Sequence, residues 1–541
     1  NSKKNYVKLL TKEIVSTIIK AVKMISKLTE PGLGRLAQNN GGHYMGKRKS
    51  GVLMHITSLA GDRGIGSFGQ AAFDFVDFLV ETKQTYWQIL PLTTTSYGDS
   101  PYQSFSAVAG NTNLIDLDLL VEDGWLKAAD LEAVDFGDNP ASVNYGHLFD
   151  VRRPLLEKAV KAFLLDKNAQ AALAKFEADN QSWLADYADF MAFKEHFNLK
   201  ALQEWDDKKA IQRDKATLEK LRKKLVDVIA YHKVTQFFFF QQWQALKAYA
   251  NKAGIEIIGD MPIYVSADSV EMWTQPQLFK ADKNRKPLYV AGVPADEFSD
   301  EGQYWGNPIY DWKAHKESGY AWWIYRMQEA LKLYDIIRID HFKGFSDFWQ
   351  VDASHDTAKY GTWQPGPGYK LFAAIKKALG DLPIIAENLG YIDEKAEKLL
   401  ADTAFPGMKI LEFGLQGPDP LNLDLPHFYT SHSVAYTGTH DNEVVRGWYH
   451  GLDEEARAYT DTYTHRAPGE PVTQAMLRTL YASVSDIAIA TMQDILDLPA
   501  SSRMNTPNTV GTNWQWRMTA DQLTDDKKEF LKAITQTYHR G

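Results

Sequence analysis

The sequence contains no cysteine among its 541 residues. The chain therefore forms no disulfide, thiolate zinc site or iron–sulfur cluster. It also lacks any uninterrupted apolar run approaching the roughly 18 residues that span a bilayer. Its hydrophobic fraction of 44% and its charged fraction of 24% are those of an ordinary globular protein. We expect a soluble protein of a reducing compartment, the cytoplasm by default, that does not associate with a membrane.

The net charge of the N-terminal segment is opposite in sign to that of the rest of the chain. Residues 1–50 carry eleven Lys and Arg against two acids, Glu13 and Glu30, which is a local charge of +9. Because the whole chain carries −9, the remaining residues carry −18. A body this acidic disfavours nucleic acid as a partner. The aromatic fraction of 12% instead suits the binding of sugar rings, although most aromatic side chains in any protein belong to the core.

The first 46 residues differ in character from the rest of the chain. Over residues 14–28, apolar residues recur at three- and four-residue steps between lysines, which predicts a short basic amphipathic helix with one thin apolar stripe. A Gly- and Asn-containing stretch follows it. A membrane-surface helix is the functional alternative, but it needs more apolar area than this segment has. We interpret residues 1–46 as an extension outside the catalytic fold and residues 47–541 as the catalytic domain.

From Gly51 onward, short apolar or β-branched runs alternate with helical patterns, which is typical of a parallel sheet. Eight such runs are present, of which the last is the weakest: Gly51–Ile56, Tyr86–Leu92, Glu256–Ile263, Tyr334–Asp340, Pro383–Glu387, Met408–Phe413, Ser433–Thr439 and Leu498–Ser502. Polar or acidic residues follow the second to seventh runs, where barrel enzymes place their chemistry. The pattern predicts a (β/α)₈ TIM barrel with large, mainly helical insertions.

Two intervals between the predicted strands are too long for a single helix. Residues from about 93 to 250 contain helical patterns such as Ala171–Asp186 and Leu218–Tyr249, and they predict an inserted, mainly helical subdomain. Residues from about 264 to 322 are rich in Pro, Gly, Trp and Tyr without clear periodicity. That composition is typical of a long functional loop that covers a site.

Two charged residues alternate with isoleucines in the fourth run, at Arg338 and Asp340. The period of two puts both on one face of the strand. A guanidinium beside a carboxylate favours its ionised form, which a carboxylate nucleophile requires. A buried Arg–Asp pair that holds the barrel together explains the same pattern, so this segment alone leaves both interpretations open.

Further acids end the fifth run, at Glu387, and follow the seventh run, at Asp441. In a barrel these acids and Asp340 share one rim. Paired carboxylates serve glycoside hydrolysis as nucleophile and acid/base, and crowding raises the pKa of Glu387 so that it stays protonated. Asp441 and its neighbour His440 would then hydrogen-bond sugar hydroxyls. Metal binding is the competing interpretation, but no paired-histidine or cysteine spacing supports it, and we expect neither a metal nor another cofactor.

These segments resemble those of a known superfamily. Arg338–His341, Ala386–Gly390 and Gly438–Asn442 resemble the catalytic segments of the α-amylase superfamily. Three further segments narrow the resemblance to the 4-α-glucanotransferases called amylomaltases or disproportionating enzymes, glycoside hydrolase family 77: Gly98–Ser104, Gly292–Asp296 with Gly302–Pro308, and Asn513–Arg517. The resemblance runs from about Gly51 to the C-terminus with six motifs in matching order, and residues 1–46 have no counterpart in it.

The resemblance implies roles for individual residues. Asp340 would be the nucleophile, Glu387 the general acid/base and Asp441 the carboxylate that stabilises the distorted sugar. Further residues that match the family's motifs are expected to contact substrate: Arg338, His440, Asp260, Asp296, Trp305, Asn307, Tyr97 and Tyr102. The loop that holds Asp296 and Trp305 resembles a lid over the acceptor side.

The implied reaction is a double displacement that retains the anomeric configuration. Glu387 protonates the glycosidic oxygen, Asp340 forms a covalent glucosyl intermediate, and Glu387 then deprotonates the attacking hydroxyl. If the attacker is the 4-hydroxyl of another α-1,4-glucan, the enzyme is a transferase that uses maltooligosaccharides, which the resemblance and the long lid favour. If the attacker is water, it is an α-glucosidase or amylase-like hydrolase. A glucan-binding protein without catalysis is a third interpretation, which the presence of all three carboxylates disfavours.

Removal of residues 1–46 is expected to leave the melting temperature and the activity nearly unchanged, because the segment contributes one thin apolar stripe and none of the motifs. Calorimetry and a glucan-transfer assay on the full chain and on a chain that begins at residue 47 make the comparison. A loss of several degrees on truncation would show that the segment belongs to the folded unit.

Overall fold

Twelve β-strands lie in the residues that the computed structural model describes, which are 48–295, 300–390 and 392–541, with the side chain of Tyr97 left out. In chain order they are β1 Lys49–Leu53, β2 Tyr86–Gln88, β3 Glu256–Met261, β4 Tyr289–Val293, β5 Gln303–Pro308, β6 Ile336–Ile339, β7 Asp347–Asp352, β8 Thr362–Pro365, β9 Ile384–Ala386, β10 Gly407–Ile410, β11 Ser433–Tyr436 and β12 Ile487–Thr491. The predicted extension, residues 1–46, lies outside the described residues.

Eight of these strands close a parallel barrel in the order β1-β2-β3-β6-β9-β10-β11-β12. The barrel closes where β1 pairs with β12, from Lys49 opposite Ile487 to Leu53 opposite Thr491. Helices cover a barrel from outside and side chains fill it from inside, so its strands are largely buried on both faces and mostly apolar. All four residues of β11 and all five of β12 are buried accordingly. The predicted (β/α)₈ fold is confirmed.

The predicted eighth strand was placed wrongly. The strand is Ile487–Thr491, whereas Leu498–Ser502 contains a short 3₁₀ helix, Ala500–Ser502, that Pro499 precedes. The true strand reads Ile-Ala-Ile-Ala-Thr, in which alanine, a strong helix former, dilutes the β-branched signal. Burial of the whole strand in the barrel overrides that local preference.

Helices surround the barrel and fill the interval between β2 and β3. In chain order they are α1 Gln70–Glu81, α2 Leu117–Glu122, α3 Ala128–Glu132, α4 Tyr145–Leu165, α5 Lys167–Asp179, α6 Leu184–His196, α7 Lys208–Ile211, α8 Lys215–Lys224, α9 Val226–Lys252, α10 Val270–Thr274, α11 Trp312–Glu317, α12 Ala321–Leu333, α13 Tyr369–Leu379, α14 Glu394–Thr403, α15 Leu411–Gly414, α16 Val445–Gly451, α17 Glu454–Tyr463, α18 Val472–Ala482, α19 Met492–Ile495 and α20 Asp525–Thr537. None of the helices in the described residues combines the length and apolarity needed to cross a membrane.

Two predicted helical stretches in this interval are each broken in two. Ala171–Asp186 spans the end of α5 and the start of α6, because the Asn180 side chain turns back onto the helix end. Its Nδ2 donates to the Phe176 carbonyl (2.9 Å), and its Oδ1 accepts from the Trp183 indole (3.1 Å). Leu218–Tyr249 is likewise divided at Leu225, between α8 and α9.

The interval from 264 to 322 contains part of a second sheet rather than a loop alone. Its strands β4 and β5 pair with each other, and β7 and β8, which follow β6, complete an antiparallel sheet in the order β5-β4-β7-β8. Val290, Val351 and Ala358 form its small buried core. Gly292 permits the close pairing, because a Cβ there would lie 2.3 Å from the Gln303 carbonyl oxygen. The sheet thus joins the insertion to the segment that leaves the C-terminal end of β6.

Gly259→Ala is expected to destabilise the barrel by about 1–3 kcal/mol, the cost of overpacking a core. The new Cβ would lie 2.0 Å from the ring of Tyr334, whose hydroxyl accepts a hydrogen bond from the Leu92 amide (3.0 Å) and so resists displacement. Thermal melts of this variant and of Gly451→Ala provide the test. Gly451 ends α16 with no heavy atom within 4 Å of an added Cβ, so equal melting temperatures for the two variants would contradict the packing argument.

Candidate active site

A buried guanidinium, Arg338, links the carboxylates of three neighbouring barrel strands. Its Nη1 donates to both carboxylate oxygens of Asp260 (2.8 and 2.7 Å) and to Oδ1 of Asp340 (3.1 Å). Its Nη2 lies 3.6 Å from Oε2 of Glu387. The side chains of Arg338 and Asp260 are 2% and 0% exposed, so this pair is fully internal. Arg338 therefore contacts Asp340, as both interpretations of the pattern expect, but its fully buried partner is Asp260.

Asp260 lies below the cleft and connects Arg338 to the loop after β11. Burial raises the pKa of Asp260, and the adjacent Arg338 charge opposes that rise. The Tyr102 hydroxyl donates to Oδ2 of Asp260 (2.9 Å) and lies 2.8 Å from Nε2 of His440. The Tyr102 and His440 rings also stack, with centroids 5.3 Å apart. These contacts engage Asp260 entirely with protein groups.

Glu387, which follows β9, is held between Arg338 and a strained turn. His341 has a left-handed backbone conformation, with φ of 48°, and its amide donates to Oε2 of Glu387 at 2.5 Å. Burial raises the pKa of Glu387 to about 8, against the opposing charge of Arg338 and with a further contribution from Asp340. The expected crowding is thus real, but burial is the larger cause. The carboxyl carries a proton at neutral pH.

Asp441 lies in the loop after β11 and faces the cleft, with a side chain that is 42% exposed. Its Oδ2 lies 3.4 Å from Nε2 of His440. Its Oδ1 accepts a hydrogen bond from Asn505, and its main-chain carbonyl accepts one from Arg503. Sequence reasoning missed Asn505 and Arg503, because neither belongs to a recognised motif and each takes its role only from the loop that it contacts.

One long cleft of about 1970 Å³ passes over this rim and on to the helices between β2 and β3. Six of the residues singled out from the sequence line it: Asp340, Glu387, Asp441, Tyr102, Trp305 and Asn307. Arg338, Asp260 and His440 lie beneath its floor, at most 5% exposed. Asp296 lies outside the described residues, and Tyr97 belongs to a 3₁₀ helix, Tyr97–Asp99.

Trp305 and Asn307 both belong to β5 but have different surroundings. The Trp305 ring meets His341 edge-on, with centroids 4.8 Å apart. Asn307 is buried, and its amide donates to the Val265 carbonyl (2.9 Å) and accepts from Nε2 of Gln103 (3.0 Å). Asn307 and Gln103 therefore tie the second sheet to the loop after β2, a contact that sequence reasoning also missed.

The fold and the rim together define a class of enzyme. A (β/α)₈ barrel that brings three acids to the C-terminal mouth of one long cleft, one of them protonated at neutral pH, is built to act on glycosidic bonds. Among the described residues, no group of three or more His, Asp or Glu side chains is arranged to hold a metal ion.

The chain belongs to glycoside hydrolase family 77, whose family model, described as 4-alpha-glucanotransferase, matches residues 54–524. A 4-alpha-glucanotransferase of Streptococcus pneumoniae is 57% identical over 497 residues, covering 92% of this chain and 98% of its own. One of Thermus thermophilus is 40% identical over 507 residues, covering 91% and 99%. The solved amylomaltase from Streptococcus agalactiae in complex with acarbose is 61% identical, with a TM-score of 0.90 over 92% of this chain and all of its own. The family resemblance read from the sequence is confirmed, and the hydrolase and binding-protein alternatives are not favoured.

The buried proton on Glu387 predicts a pH-dependent stability difference between the native chain and Glu387→Gln. Between the ordinary pKa of 4.5 and the folded value of about 8, the folded state keeps a proton that the unfolded chain has released. The contribution of this group to stability therefore falls as pH rises through that window. Since glutamine keeps the shape and cannot ionise, Glu387→Gln should melt a few degrees higher than the native chain above about pH 8. Fluorimetric melts over a range of pH should show this difference in melting temperature shrinking as the pH falls towards 4.5. A variant that melts below the native chain at every pH would contradict the argument.

Proposed function

We propose that the three acids at the rim carry out a retaining double displacement on α-1,4-glucans, with Asp340 as nucleophile, Glu387 as general acid/base and Asp441 as the carboxylate that stabilises the distorted sugar. The observation that carries the proposal is the shared contact of Asp340 and Glu387 with one buried guanidinium, Arg338. That contact keeps both carboxyls at one point of the cleft, and burial raises the pKa of Glu387.

Asp340 has the features of a nucleophile. It lines the cleft with a side chain that is 24% exposed, and its Oδ1 accepts from Arg338 at 3.1 Å. The contact with the guanidinium orients the carboxyl group, and partial exposure gives it access to a sugar in the cleft. Attack gives a covalent glucosyl ester as the glycosidic bond breaks.

Glu387 has the features of the acid/base. Its pKa of about 8 lets it donate a proton to the departing glycosidic oxygen at neutral pH. The same group, now ionised, accepts the proton of the attacking hydroxyl in the second half of the reaction. Retention through a covalent intermediate requires the Asp340 and Glu387 carboxyls about 5–5.5 Å apart in the working enzyme.

The acceptor side of the cleft favours transfer over hydrolysis. Trp305 lies against His341, next to the nucleophile, and offers an aromatic face to an acceptor sugar. Water is present at about 55 M, so a transferase must favour a sugar hydroxyl by orientation, where effective molarities reach roughly 10⁵ M or more. Maltooligosaccharides are the proposed donors and acceptors, in line with the acarbose bound by the amylomaltase from Streptococcus agalactiae. Asp296 and Tyr97 remain predicted substrate contacts, and the cytoplasmic location remains a prediction.

Asp340→Asn and Glu387→Gln should differ on donors whose leaving group needs no protonation. With maltotriose, both variants should fail to build the ladder of longer maltodextrins that the native chain forms at a constant number of reducing ends. With α-glucosyl fluoride, Glu387→Gln should still form the intermediate, at a rate at least about 100-fold above that of Asp340→Asn, because only the latter lacks the nucleophile. Fluoride release measures this step. Equal residual rates on the fluoride would mean that the two roles are assigned wrongly.

A further inference from the structure

We propose that Asn505 is a positioning residue for the reaction, which fixes the carboxylate of Asp441 in its working orientation. The inference rests on the proposed role of Asp441 and adds a residue that neither the motifs nor the strand pattern indicated. Nδ2 of Asn505 lies 2.6 Å from Oδ1 of Asp441, and both side chains line the cleft.

The contact is directional. A carboxylate only accepts hydrogen bonds, so the asparagine must present its NH₂ group to Asp441. A hydrogen bond to a charged acceptor is stronger than a neutral one. It occupies Oδ1, whereas Oδ2 lies 3.4 Å from Nε2 of His440. One oxygen of Asp441 is therefore anchored and the other is available to a sugar hydroxyl.

The segment that carries Asn505 is itself fastened to the Asp441 loop. The main-chain N–H of Asn505 donates to the main-chain carbonyl of His440 (3.1 Å), and Nη2 of Arg503 donates to the main-chain carbonyl of Asp441 (2.7 Å). Nε of Arg503 also donates to the Asn505 carbonyl (2.8 Å). Main chain and side chain are thus fixed together, as an oriented functional group requires.

The charged groups around Asp441 do not replace this anchor. The charged or titratable side chains that interact with Asp441 or with its immediate neighbours are His440, Arg503, Glu443, Glu387 and Tyr102. Arg503 is turned to the main chain and to Glu443 (3.5 Å), and His440 contacts only Oδ2. Among the side-chain donors that the structure places on Asp441, Asn505 alone contacts Oδ1.

Removing the anchor should slow the chemistry more than it weakens binding. Asp441 acts on the distorted sugar, so its orientation matters most in the transition state. We expect Asn505→Ala to lower kcat about 100-fold, the order that a misplacement of roughly 1 Å costs, with KM nearly unchanged. Initial rates of transfer over a range of maltotriose concentrations separate the two constants.

Asn505→Asp provides a readout that a purely structural role would not move. It keeps the shape but sets two carboxyl oxygens about 2.6 Å apart, so the pair holds one shared proton at low pH and ionises fully only at higher pH. In acid that proton replaces the lost N–H donor, so activity should approach that of the native chain. As the pH rises, the pair ionises and Asp441 is pushed away. The alkaline limb of the kcat–pH profile should therefore lie at least about one pH unit below that of the native chain, where the Glu387 pKa of about 8 sets it.

Asn513→Asp is the matched control, since it makes the same change in the same loop. Asn513 bonds to Thr506 and Thr509 rather than to Asp441. The alkaline limb of the kcat–pH profile of Asn513→Asp should stay with that of the native chain, whatever the change costs in stability. An equal shift for both aspartate variants, or equal losses for Asn505→Ala and Asn505→Asp at every pH, would overturn the inference.

A double-mutant cycle separates this inference from the proposal on which it rests. In an Asp441→Ala background, Asn505→Ala should cost less than about twofold further in kcat, because its target is gone. Losses that multiply would show that Asn505 acts independently of Asp441 and would refute the inference. A near-native rate for Asp441→Ala alone would refute the role of Asp441 itself, and the inference with it.

Discussion

The contact on which the site depends is the burial of one guanidinium, Arg338, among three carboxyl groups. A buried arginine is tolerated only with its charge matched, and Asp260, fully enclosed, supplies that match through two hydrogen bonds. The contacts with Asp340 and Glu387 then add two more acids to one cation. Three negative charges around one positive charge would be costly in a buried site. The structure relieves this by favouring the protonated form of Glu387, which is more buried than Asp340 and lies farther from Arg338 than Asp340 does. The carboxylic acid that the proposed mechanism needs thus follows from burial beside Arg338.

The same contact joins the rigid barrel to its loops. Arg338 and Asp260 belong to β6 and β3, and the Tyr102 hydroxyl extends their network to His440 on the loop after β11. At the other side, the left-handed turn at His341 aims an amide at Glu387 and sets its ring against Trp305 on the second sheet. A non-glycine residue in this conformation costs energy that only a well-packed surrounding sustains. Loops far apart in sequence therefore take their positions from a small set of buried polar contacts.

The parts that could be predicted from sequence are those where one local pattern decides the structure. The alternation in Ile336-Ile337-Arg338-Ile339-Asp340 requires two charges on one strand face, and acids at consecutive strand ends require a common rim. The failures have a different cause. The alternating alanines of Ile487–Thr491 suit a strand only because the closed barrel buries both of its faces. The sheet β5-β4-β7-β8 brings together segments on both sides of β6, so no single window of sequence contains its hydrophobic pattern. Asn505 was missed for the same reason, because the function of a polar loop residue depends on the residue that it contacts, and here that residue is distant in sequence.

The barrel supplies the acids and the insertions bound the space beside them, and this arrangement affects whether transfer or hydrolysis occurs. In the proposed mechanism the glucosyl group can pass either to water or to a sugar, so the outcome depends on what occupies the cleft beside the intermediate. That space is bounded by the second sheet and by the helices between β2 and β3, neither of which belongs to the barrel. Gln103 and Asn307 fasten these two insertions to each other, through a contact between side chains that are largely shielded from solvent. The insertions are therefore placed to hold an acceptor ring over Asp340, the proposed nucleophile, and orientation of that kind is what lets a dilute sugar hydroxyl compete with water.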